Sequence, residues 1–308
     1  MPVAAAEEQK NKHDRFDFHY HEKVTKSNPY ILAEGERIEH EEYLLKDRDF
    51  DEKAMRELPK SPRLEREIEK SKKRIIKLGE ELGLDLESRL TENEDIHLLA
   101  TREYKKRFEN YTGAGHVALN EVFARRDRGR VQSEAIRRIQ HELLHMASKR
   151  RVFIEKDKID VHSLGYASTK NRDFEFFNEG LTELTNQKLY LDEGICAPDT
   201  SYVEEVIFVS ELVRDIAEKS DLSYEDIFKH LLVGMFEGKR QYLKVINDLY
   251  GEKALSLLSK MKNDKDDIVA IARQFGLKEA VRKIKNYEHK KKIDIDVGEV
   301  SYNITRPD

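Results

Sequence analysis

Apolar side chains recur every three or four residues along most of this chain, a spacing that predicts helices. Leu64, Ile68, Ile75 and Leu78 mark one helix that opens at Ser61-Pro62 and ends near Gly79. A serine cap followed by proline in the first turn suits such a start. Thr91-x-x-Glu94 has the form of a capping box, and Ile96, Leu99, Tyr104 and Phe108 extend an apolar stripe to about Asn110. Ala135, Ile136, Ile139, Leu143 and Met146 line a third helix over roughly 133–149, and a fourth is expected over 173–191. Beyond Pro198 the pattern is almost purely helical. Ser201-x-x-Glu204 and Ser223-x-x-Asp226 cap two helices, and four more are expected at 242–250, 254–261, 268–275 and 278–287.

Strands are fewer. Residues 116–123 suit one, after a turn at Thr112-Gly113-Ala114-Gly115, and the arginine-rich run 125–130 holds another turn. Short strands are expected at 151–155 and 159–162. Ile293, Ile295 and Val297 alternate, as do Val300, Tyr302 and Ile304, and Gly298-Glu299 between them signals a hairpin. Residues 1–60 carry few periodic apolar positions and read as a polar arm. The expected fold is mainly α with a small β-sheet (α+β). A helical segment over 61–112 precedes a core at 113–192, and a helical part over 193–308 ends in the hairpin.

Composition narrows the function. The chain has 308 residues with 38% apolar side chains, enough for a sizeable core, and its net charge of −5 is small for that length. No global field points to nucleic acid. Cys196 is the single cysteine, which excludes an internal disulfide framework or a cysteine-rich zinc site. No run of 18 apolar residues and no signal peptide is visible, so a cytoplasmic protein with no membrane partner is expected. His13, His19, His21 and His40 are scattered among acids in the polar arm and read as solvated.

The chemistry concentrates in His141-Glu142-Leu143-Leu144-His145, an H-E-x-x-H inside the third helix. Side chains four apart lie on one helix face, so both imidazoles reach one ion while Glu142 stands beside them. Neutral imidazoles suit Zn²⁺, and a carboxylate can take a proton from an attacking water. In a glutamate-rich chain this motif also arises by chance. Its surroundings favour a metal site, because Gln140 is uncharged and Met146-Ala147 are apolar, which lets the helix be buried. A second acidic cluster follows at Asn178-Glu179-Gly180-Leu181-Thr182-Glu183. Glu175, Glu179 and Glu183 are four apart and share a face, and periodicity does not choose among them.

With both motifs present, residues 113–192 resemble the gluzincins, the thermolysin-like clan of zinc metallopeptidases. In that clan a glutamate from a later helix, often within Asn-Glu-Gly, completes H-E-x-x-H. The resemblance implies one Zn²⁺ per chain held by His141, His145 and Glu179, with Glu142 as general base. It places Asn178 and Glu183 behind the ligands, Glu183 orienting a histidine through its free ring N–H. It also implies an edge strand before the zinc helix, at Ala118, Leu119 and Asn120, where a peptide or protein substrate lies extended. For the residue that steadies the developing oxyanion, Tyr166, His162, Tyr202 and His230 are candidates, and Tyr202 is preferred. Two other readings compete: a zinc ion that only staples two helices, and a helical interaction module with an accidental motif. Glu142 speaks against the staple, which has no use for a carboxylate there.

Overall fold

The computed structural model describes residues 57–108, 113–116, 121–126, 131–155, 158–168, 171–195, 202–290, 292–297 and 300–305. Helix α1 (Pro62–Leu82) starts as its sequence directs. Ser61 Oγ accepts from the Leu64 N–H at 3.2 Å, and Gly83, in the left-handed region at φ 69°, closes the far end. The helix runs a turn beyond the expected stop and buries Leu64, Ile68, Ile75 and Leu78.

The next stretch departs from expectation. Ile96–Ala100 forms a strand, β1, and the helix α2 covers only Thr101–Phe108. Thr91 and Glu94 open no helix. β1 pairs in parallel with β3 (Glu121–Arg126), setting Leu98 opposite Ala124, both buried. A ladder held from both sides overrides a local capping signal of about 1 kcal/mol. Strand β2 (Gly113–His116), expected as a turn, pairs antiparallel with β3, and the sheet order is β1-β3-β2. Of the strand expected over 116–123 only the two ends are described: β3 is central in its sheet and β2 lies at one side. Ala118, Leu119 and Asn120, offered as substrate contacts, fall outside the described residues. Glu57 and Leu58, assigned to the polar arm, lie against β1, with the Leu58 N–H donating to Leu98 O at 2.7 Å.

Helix α3 (Val131–Ala147) follows, then strands β4 (Arg150–Glu155), β5 (Lys158–Leu164) and β6 (Ala167–Ser168), which form an antiparallel sheet in that order. Helix α4 (Glu175–Leu191) carries the second motif. Its residues Phe177–Gln187 are buried apart from Glu179, so this helix is enclosed on nearly all sides. Six helices follow among the described residues, α5 (Val203–Ser220), α6 (Tyr224–Glu237), α7 (Lys244–Tyr250), α8 (Ala254–Ser259), α9 (Lys265–Gln274) and α10 (Lys278–Lys290), and then an antiparallel hairpin of β7 (Lys292–Val297) and β8 (Val300–Thr305). Ser223 caps α6, its Oγ accepting from Asp226 N–H at 3.1 Å, as expected. Ser201 is outside the described residues, and the cap position of α5 is Tyr202, whose side chain makes no capping bond.

One apolar core joins these parts. Leu143 and Leu144 of α3, Leu181 and Leu184 of α4 and Val206 and Val209 of α5 belong to the same buried cluster as Ile68 and Ile75 of α1. The tightest seam lies where the Tyr166 side chain occupies the groove left by Gly234, and its hydroxyl donates to Leu231 O at 2.8 Å. The chain is mainly helical with small sheets, and no described helix is long and apolar enough to cross a membrane.

Candidate metal centre

α3 and α4 present His141, His145 and Glu179 to one another. His141 Nε2 lies 3.1 Å from His145 Nε2 and 3.1 Å from Glu179 Oε2, and His145 Nε2 lies 3.3 Å from the same oxygen. All three donors fall within 4.8 Å of each other, the one such group among the described residues. The triangle fits a metal. A tetrahedron with bonds of about 2.0 Å has edges of roughly 3.3 Å, the spacing these atoms keep. Two imidazoles and one carboxylate are also a donor set that Zn²⁺ accepts while leaving a fourth position open.

The two histidines are 5% exposed, and Glu179 is more accessible with a side chain 20% exposed. Burial alone would lower the His141 pKa, but hydrogen bonds to Glu179 and Glu183 reverse the direction and raise it. Burial likewise opposes ionisation of Glu179, yet the charge of His145 and bonds to both imidazoles hold its pKa below the usual carboxylate range.

Glu183 sits behind the cluster. Its Oε2 lies 2.7 Å from His141 Nδ1, the ring nitrogen turned away from the donor triangle. The carboxylate is fully buried but well supplied with donors. Gln187 Nε2 donates to Oε1 at 2.6 Å, Asn186 Nδ2 to Oε2 at 3.2 Å and Arg137 to Oε1 at 3.2 Å. Burial pushes its pKa up, and the Arg137 charge with the His141 bond overcomes that and lowers it. An ionised Glu183 only accepts, so His141 carries its proton on Nδ1 and offers the Nε2 lone pair to a metal. His145 differs: its buried Nδ1 has no hydrogen-bond partner among the described residues.

Within residues 135–148 every side chain is buried except Glu142, which keeps partial access to solvent. The catalytic carboxylate implied by the resemblance is thus the one position on this stretch of α3 that faces out of the core. Tyr202 lies over the site as well. Its ring stacks on His141, with centroids 5.5 Å apart and planes 7° from parallel. The charge of Glu179 first, then burial, then the charge of Glu142 raise its pKa well above the usual value, so the phenol stays protonated and can donate.

The remaining expected residues separate. Glu175 turns away from the cluster and pairs with Arg172, with 2.7 Å between Oε1 and Nη2. Asn178 Oδ1 accepts from the Tyr166 N–H at 3.1 Å, so Asn178 ties the turn at Gly165 to α4 and reaches no ligand through that bond. Tyr166 belongs to the core, and His230 is exposed and meets Tyr242 O at 3.0 Å, so neither faces the cluster. The His162 side chain, Cys196 and the four histidines of the polar arm lie outside what is described. Sequence reasoning missed Arg137, Asn186 and Gln187. Their spacing held a signal, since Arg137 is one helical turn before His141, and Asn186 and Gln187 are one turn after Glu183.

A cavity of about 240 Å³ opens on the other side of α4, between α1 and α6, over Leu78, Leu189, Phe228 and Leu232. It is separate from the donor cluster. Comparisons of the chain with known protein families, with curated proteins and with solved structures found no match.

Proposed function

We propose that this protein is a zinc-dependent peptidase of the gluzincin type, with a zincin-like core around α3 and α4. The observation that carries the reading is the triangle of His141 Nε2, His145 Nε2 and a Glu179 oxygen, with edges of 3.1–3.3 Å, beside a partly exposed Glu142 on the same helix. His141, His145 and Glu179 would hold the zinc ion, which would supply Lewis acidity toward a scissile carbonyl and a water with a pKa near ~7. Glu142 accepts the proton of the attacking water and passes it to the leaving amine. Tyr202, protonated and stacked beside His141, donates to the oxygen that gains charge as the carbonyl is attacked. Glu183 holds the His141 ring in the tautomer that keeps Nε2 free.

The alternative, a zinc ion that staples α3 to α4 without catalysis, makes no use of Glu142 or Tyr202. The test is zinc content measured beside cleavage of a mixed peptide library for the parent and Glu142→Gln. One zinc per chain in both, with cleavage lost only in the variant, supports the peptidase. Equal cleavage by both overturns Glu142 as base. Zinc without cleavage in the parent favours the staple, and absence of zinc from the parent defeats both readings.

A further inference from the structure

Behind Glu183 the polar contacts continue across α3 into α1. Asn186 Nδ2 donates to Glu183 Oε2 at 3.2 Å. Asn186 Oδ1 accepts from Gln140 Nε2 at 2.9 Å, and Gln140 Oε1 accepts from Arg74 Nη1 at 3.0 Å. The other guanidinium nitrogen, Nη2, pairs with Glu193 at 2.6 Å. Gln140 and Asn186 are fully buried and Arg74 is 5% exposed, so the bonds among these three are shielded from water.

Every bond in this chain runs the same way, and the chemistry of its two ends imposes that. An arginine has five N–H groups and no acceptor, so Gln140 must turn its oxygen to Arg74. Its amide nitrogen then faces Asn186, which must present its own oxygen. The Asn186 nitrogen is left to face Glu183, which only accepts when ionised. If either amide flipped, two acceptors or two donors would meet in a buried site, a mismatch costing roughly 1–3 kcal/mol. The direction ends at His141, because a carboxylate already supplied by Asn186, Gln187 and Arg137 takes a proton bond from Nδ1.

We infer that Arg74, on a helix outside both motifs, is a positioning residue for the metal centre: through Gln140 and Asn186 it orients the donors on Glu183 and so the tautomer of His141. The inference rests on the zinc reading, and it extends the centre to the helix that precedes both sheets. Arg74 touches neither ligand nor substrate. Its guanidinium also lies 4.8 Å above the Tyr190 ring, so a replacement must keep that packing to be informative.

Arg74→Met keeps the apolar stem and removes the donor, Arg74→Lys restores a cationic donor, and Gln140→Met breaks the next link. Zinc dissociation constants from chelator competition, read beside melting temperatures, form the test. Arg74→Met should weaken zinc about 3–10-fold, less than the roughly 10–100-fold of a residue bonded directly to a ligand. Arg74→Lys should recover most of that loss. Gln140→Met should match Arg74→Met, and the double variant should be no weaker than either, because both act along one path. A purely structural role would lower the melting temperature and leave the zinc constant of the folded protein unchanged. The inference is overturned if Arg74→Met binds zinc within about twofold of the parent, or if the two single losses add. Should Arg74→Met fail to fold, Gln140→Met against Arg74→Lys decides by the same criterion. A parent chain that binds no zinc would instead overturn the metal reading itself.

Discussion

Gly180 meets Glu205 so closely that a Cβ on the glycine would stand 3.0 Å from both the Cβ and the carbonyl oxygen of Glu205. It would stand as close to Val209 Cγ2. α4 and α5 can therefore touch backbone to backbone one residue beyond Glu179. Gly180→Ala gains up to about 1 kcal/mol in helix propensity, but the helices must part by a few tenths of an ångström, and overpacking of this kind costs about 1–3 kcal/mol. The expected outcome is a protein slightly less stable and clearly weaker in zinc affinity, measured by urea unfolding and chelator competition. Unchanged affinity would show that the crossing does not set the position of Glu179.

The three acids of α4 should separate cleanly. Glu179→Ala removes a ligand and should weaken zinc far more than the roughly 100-fold upper range for an outer partner. Glu183→Ala should fall within about 10–100-fold. Glu175→Ala should have no effect, since that carboxylate is engaged with Arg172. Competition against a chelator of known affinity ranks all three.

Tyr202→Phe tests the donor role without touching the metal. The ring and its stacking on His141 remain, and only the hydroxyl goes. Zinc content should stay at the parent level while kcat falls about 10²–10³-fold, as for loss of one oxyanion donor. A rise in KM alone, with kcat intact, would place the hydroxyl in substrate binding instead.

Glu205 gives a pH dependence that can be read without a substrate. It is fully buried, and neither carboxylate oxygen has a hydrogen-bond partner among the described residues. Burial, with repulsion from Glu204 and Glu179 adding, pushes its pKa from the usual 4.5 up to about 8. Between these values the folded chain keeps a proton that the unfolded chain has released, so stability falls as pH rises. The penalty is absent below 4.5, grows through that window and is complete above about 8. In the metal-free protein, Glu205→Gln should therefore be more stable than the parent at pH 8, by the order of a few kcal/mol, and equal to it near pH 4. Urea unfolding at a series of pH values checks the slope. A gain that does not change with pH would assign the effect to packing.

Much of this was legible in the chain. α3 was readable because its apolar positions and its two histidines obey one period, and Ser61 and Ser223 mark helix starts through bonds to N–H groups three residues on. The hairpin at the C-terminus was readable from strict alternation, with Val297 opposite Val300. β1 was not. Ile96 and Leu99 keep a helical spacing, and only the parallel partner β3, some 25 residues downstream, makes Ile96–Ala100 extended. β2 was hidden because Gly113 and Gly115 lack the side chains that signal a strand. At the site, the spacing of Glu179 and Glu183 showed two carboxylates on one face, whereas their different tasks follow from which imidazole nitrogen each meets. Nothing local announced that Tyr202 would lie on His141, because that contact depends on how α5 crosses α4.

Arg89 stands where two helices end together. Its Nη1 donates to Ala147 O at 3.3 Å and to Phe236 O at 2.9 Å, and its Nη2 pairs with Glu237 at 2.7 Å. The last turns of α3 and α6 leave carbonyls that no residue further along either helix can satisfy. A single guanidinium from the segment after α1 satisfies both. The two motif helices are consequently not a portable cassette. A fragment cut to 113–192, or a graft of those residues into another scaffold, would leave the end of α3 without its cation and without the neighbouring helix end that shares it. Adding the missing N-terminal piece in trans should restore folding of the larger remainder only if that piece carries Arg89.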